Sequence, residues 1–154
     1  MKRLLIVVSF LCNIAFAQDL PKSIDVYFSN YIESQTFSRV PLDSALTKPD
    51  LMSYENTDAH YVIDFKHMEV RVYYANELTG KAAIISAQHV TPQYKTDFDV
   101  WEYFVKLQDG ATKTEIRIST KNNAFLYTYV YDLDGGYYER NIAFPTQPTI
   151  IVNK

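Results

Sequence analysis

Residues 97–144 read DFDVWEYFVKLQDGATKTEIRISTKNNAFLYTYVYDLDGGYYERNIAF. Three turn signals divide this stretch, at Asp109-Gly110, Lys121-Asn122-Asn123 and Asp134-Gly135-Gly136. Between them the side chains alternate with period two. Trp101, Tyr103, Val105 and Leu107 share one face of a first strand, and Phe98, Val100 and Phe104 share the other. Ile116 and Ile118 then face in, against Thr114, Glu115 and Arg117. Phe125, Tyr127, Tyr129 and Tyr131 line one face of a third strand, and Tyr137 to Phe144 forms a fourth. Strict alternation bounded by Asp-Gly and Asn-rich turns is the pattern of antiparallel hairpins.

The same period extends upstream. Tyr61, Ile63 and Phe65 alternate, a turn falls near Lys66-His67, and Met68 to Tyr74 alternates again. Ala75 to Gly80 reads as a turn and Lys81 to Val90 as a strand centred on Ile84 and Ile85. Pro145 and Pro148 stop the last long strand, and Thr149 to Val152 adds a short edge strand. Short turns join neighbours and no crossover helix intervenes, so the sheet is expected to be an antiparallel meander of seven to eight strands over 59–152.

The region before residue 59 reads differently. Leu20, Ile24, Tyr27, Phe28, Tyr31 and Ile32 recur at steps of three and four, which predicts a helix over about 21–34. Pro21 suits a first helical turn and Asp19 its N-terminus. Residues 36–58 lack a clean period, and Pro41 and Pro49 mark them as a long loop. The expected fold is therefore α+β and mainly β. Its N-terminal helix would pack on a strongly curved antiparallel sheet or small barrel.

The first residues carry an address. Lys2-Arg3 precede the apolar run Leu4 to Cys12, which closes on Ala15-Phe16-Ala17. That is the layout of a secretory signal over 1–17, with Gln18 as the first mature residue. The run is shorter than the roughly 20 apolar residues of a spanning helix. Leu11 is too bulky for the site preceding an acylated Cys12. A signal this short suits a bacterial cell, with the periplasm or the exterior as destination. Cleavage leaves a single domain, 18–154, and removes the chain's one cysteine. The mature domain then has no thiol for a disulfide or a thiolate metal site. Loss of Lys2 and Arg3 takes the net charge from −3 to about −5. No basic stripe suits nucleic acid.

Candidate chemistry is sparse. His60, His67 and His89 lack the close spacing of zinc ligands. Asp132-Leu133-Asp134-Gly135 lacks the remaining oxygen ligands of a calcium loop and reads as a turn. No metal or cofactor is expected. Asp97, Asp99 and Glu102 are the one set of carboxylates placed for hydrolysis, at the end of a strand. No nucleophile elbow, P-loop or dinucleotide fingerprint is present.

The most prominent feature is aromatic. The chain holds 13 Tyr and 9 Phe. Tyr127, Tyr129 and Tyr131, with Tyr137 and Tyr138 across the turn, form a ladder. Cross-strand aromatic pairs stabilise a sheet by roughly 0.2–1 kcal/mol each, which is one use for them. On an open face they would instead form a platform that both packs and hydrogen-bonds. The sequence thus points to an exported, non-enzymatic binding or protein-interaction module. Its partner would be another exported protein, a glycan or a peptide. An inhibitor or immunity-type protein fits its size, export and mild acidity. A small periplasmic hydrolase using Asp97, Asp99 and Glu102 is the alternative.

Overall fold

A computed structural model describes residues 20–28, 32–41, 51–55, 58–92, 100–108, 110–111, 113–133, 137–145 and 147–154. For 32–41, 51–55, 132–133, 137–142 and 144 the backbone alone is described. Residues 1–17, expected to be an export signal, and Asp97 and Asp99 lie outside the described residues.

Among the described residues eleven strands form one antiparallel sheet. They are β1 (Ser23–Phe28), β2 (Ile32–Pro41), β3 (Leu51–Glu55), β4 (Ala59–Asp64), β5 (Glu69–Tyr74), β6 (Glu77–His89), β7 (Tyr103–Gln108), β8 (Lys113–Ser119), β9 (Ala124–Leu133), β10 (Tyr137–Pro145) and β11 (Pro148–Asn153). Their spatial order is β11-β1-β4-β5-β6-β7-β8-β9-β10-β2-β3. The seven to eight strands expected between 59 and 152 are found as eight, β4 to β11. The expected meander runs unbroken from β4 to β10, and β11 returns to pair with β1.

The N-terminal helix is not found. The described part of 21–34 is extended, and no α-helix occurs among the described residues. The described part is accordingly mainly β, without the helix of the expected α+β arrangement. Two periods fit this stretch, and the shorter one wins. Ile24, Val26 and Phe28 alternate inward at 0%, 0% and 5% exposure, while Tyr27, assigned inward by the helical spacing, is 42% exposed. β-branched Ile24 and Val26 favour the pleated surface. The expected loop over 36–58 is likewise interrupted, because β2 runs to Pro41 and β3 spans Leu51–Glu55.

The sheet is curled into a half-barrel. β1 and β9 stand six strand steps apart, a distance of about 29 Å in a flat sheet. Yet Phe28 of β1 meets Phe125 of β9 edge to face at 5.2 Å. Tyr61 of β4 also reaches Phe125, at 5.3 Å. Register shifts between Val72 and Tyr73 and between Ile84 and Ser86 accentuate the bend, as bulges do. At the second, Ile84 is buried whereas Ile85 is 63% exposed. Ala75 and Asn76, both at positive φ, make the two-residue turn between β5 and β6.

Burial follows the curl. The concave face holds the core: Ile24, Val26, Ile63, Val70, Val105, Ile116 and Ile118 are all at most 1% exposed. The convex face mixes ion pairs with exposed Tyr27, Leu78 and Ile151. There Arg71 bridges Asp64 and Glu69, Lys81 joins Glu69, and Arg117 joins Glu115. Phe104 lies under the Arg117 guanidinium at 5.7 Å.

Candidate functional site

The site is built from β9 outward. Alternation places Phe125, Tyr127, Tyr129 and Tyr131 on the concave face. Phe125 is 3% exposed and belongs to the core. Tyr127 and Tyr129 are half-buried, and Tyr131 is 44% exposed. Successive rings touch, with Tyr127–Tyr129 at 5.7 Å and Tyr129–Tyr131 at 5.6 Å. One strand therefore carries a graded row of aromatics from the core to solvent.

Curling adds two tyrosines that the sequence reading left out. Tyr61 of β4 packs on Tyr127 at 6.1 Å. Tyr74 of β5 is 42% exposed and hydrogen-bonds the Tyr61 side chain. Burial first, then the neighbouring Tyr74, Tyr127 and Tyr129, holds the Tyr61 hydroxyl protonated well above the usual tyrosine range. Period-two alternation marks Tyr61 as inward-facing. It does not reveal that β4 and β9 confront each other across the curl.

The backbone register sorts the remaining ladder residues. Tyr137 pairs with Leu133, and Tyr138 with Asp132. Paired residues share a face and consecutive ones do not. Tyr137 thus belongs to the face of Tyr131, and Tyr138 to the opposite one. Glu139, not a tyrosine, stands opposite Tyr131.

A cavity of about 170 Å³ adjoins the row, lined by Tyr61, Tyr127, Val70, Val72, Gly80 and Leu107 among others. That is smaller than the roughly 300–1,000 Å³ of small-molecule sites. The arrangement better suits recognition of a surface or an inserted side chain than enclosure of a ligand.

Other candidate groups have structural partners. Glu102 accepts hydrogen bonds from the Thr120 backbone N–H at 2.9 Å and from the Thr120 hydroxyl. It ties the start of β7 to the β8–β9 turn. Asp64 accepts from the His67 N–H at 3.0 Å, the His67 ring at 2.8 Å and Arg71 at 3.2 Å. The His67 bonds, with help from Arg71, hold the Asp64 carboxyl below the usual carboxylate range. His60 is 3.2 Å from Asp25 and stacks on Tyr27 at 4.0 Å, and His89 stacks on Tyr103 at 4.7 Å. Among the described residues no three His, Cys, Asp or Glu side chains converge as a metal site would require.

No protein-family model matches the chain, and no curated protein or solved structure matches it either.

Proposed function

We propose that the protein is an exported, non-enzymatic binding module that engages a partner protein through its tyrosine-lined concave face. One observation carries this reading. Tyr61, Tyr74, Tyr127, Tyr129 and Tyr131, from three strands, form a continuous row that ends at two rings more than 40% exposed. Tyrosine is enriched at protein interfaces because it buries a large area with few rotatable bonds and keeps a hydroxyl for water or partner. The ion pairs Arg71–Asp64 and Arg117–Glu115 on the convex face argue against a wholly apolar, lipid-facing wall.

Export places the partner among periplasmic or secreted proteins. An inhibitor or immunity-type role follows if that partner is an enzyme or toxin. The test is affinity capture from periplasmic extract with the tagged full-length chain, processed by its own host. One stoichiometric partner is expected on the native chain and is expected to be lost with Tyr74→Ala/Tyr131→Ala. Equal retention by both chains, or no partner on either, refutes the reading.

A further inference from the structure

A second cavity, of about 400 Å³, shares no lining residue with the tyrosine row. Its walls are Trp101, Asn122, Asn123, Ala124, Leu126 and Pro148, with Phe125 and Pro145 completing them. Its size falls within the roughly 300–1,000 Å³ of small-molecule sites. None of these side chains carries a charge. We propose that this pocket binds a neutral sugar ring, one unit of a glycan.

The composition of the walls selects that chemistry. A pyranose has an apolar face of C–H groups and a rim of hydroxyls. The C–H face packs against an aromatic ring, whose π-face is electron-rich. Each hydroxyl both donates and accepts, as a carboxamide does. Trp101 supplies the ring, and Asn122 and Asn123 supply the amides. Among the described lining residues none is charged, which disfavours uronic acids and phosphorylated ligands. A proline-rich peptide needs an aromatic-lined groove. Here Trp101 has only Phe125 beside it, and Phe125 is 3% exposed.

The pocket is also built before any ligand arrives. Glu102, next to Trp101, is clamped to Thr120 at the start of the turn that carries both asparagines. The Glu102 N–H donates to the Ile118 carbonyl at 2.9 Å. The Asn122 N–H donates to the Ser119 hydroxyl at 3.3 Å. Asn123 takes a positive φ of 48°, a conformation asparagine tolerates, and its side-chain amide donates to the Pro148 carbonyl. Three segments distant in sequence are thereby fixed around one space. Preorganisation of this kind lowers the entropic cost of binding.

Trp101 is the chain's single tryptophan, so its fluorescence reports on the pocket directly. The full chain would be titrated with maltohexaose, cellohexaose and chitohexaose, and with polygalacturonate and a proline-rich peptide as competitors in class. A saturable blue shift with at least one neutral hexasaccharide is expected. Asn122→Ala, on an exposed turn, should weaken it about tenfold, the loss of one good hydrogen bond. Trp101→Ala, followed by calorimetry and checked for folding by circular dichroism, should abolish binding. If Trp101→Ala does not fold, Asn122→Ala decides alone. No shift with any neutral sugar, a shift with polygalacturonate or the peptide alone, or an unchanged affinity in Asn122→Ala would overturn the proposal. Tyr74→Ala/Tyr131→Ala should leave the titration unchanged.

Discussion

Phe28 and Phe125 meet edge to face at 5.2 Å although six strand steps separate β1 from β9. The contact is the point at which the curled sheet closes on itself. Tyr61 joins it at 5.2 Å from Phe28 and 5.3 Å from Phe125. The three rings lock together the strands that carry the tyrosine row, so the site depends on the closure. Phe125→Ala is expected to destabilise the fold by about 3–5 kcal/mol, as large-to-small changes of buried aromatics do. Tyr131→Ala, on the same strand but 44% exposed, should cost less than about 1 kcal/mol. Urea unfolding of both variants measures the contrast. Equal losses would mean that the closure does not hold the sheet.

Acid should weaken the protein partly through Asp64. Its partners, His67 foremost, lower its carboxyl in the folded state. A depressed folded value adds stability above the unfolded carboxylate value of about 3.9 and loses it as pH falls through the folded one. Asp64→Asn should therefore be less stable than the native chain at neutral pH. The gap should close as pH drops below that carboxylate value. Thermal melts of both proteins at stepped pH check the sign. A gap that widens in acid contradicts the assignment.

Glu102 is expected to act as a clamp rather than a catalyst. Glu102→Gln removes the charge from its bonds to Thr120, and charge-assisted bonds of this kind contribute about 1.5–3 kcal/mol. The variant should melt earlier, and its Trp101 emission should shift toward that of a more solvated indole. Unchanged stability and emission would show that the clamp contributes nothing.

Much of the sheet was legible because its turns are local. Asp109-Gly110 and Lys121-Asn122-Asn123 sit between alternating runs, and β8 and β9 lie where the pattern puts them. By contrast β7, expected to hold Trp101, begins only at Tyr103, and β6, expected from Lys81, begins at Glu77. The first strand was misread because Ile24, Tyr27, Phe28 and Ile32 satisfy a helical period while Ile24, Val26 and Phe28 satisfy a strand period. Only the pairing of β1 with both β4 and β11 decides between them. The site was half visible. Tyr127, Tyr129 and Tyr131 lie on one strand, so their spacing places them on one face. Tyr61 and Tyr74 join them through the curl, a property of the whole sheet that no local spacing records.

The central claim is that a partner protein docks on the tyrosine row. Site-specific photo-crosslinking in living cells tests it most directly. Benzoylphenylalanine would replace Tyr131 at the exposed end of the row, and Lys106, exposed on the convex face, in a parallel strain. The account predicts a discrete crosslinked adduct from position 131 and none from position 106. An adduct from position 106 alone, or none from either, would contradict it.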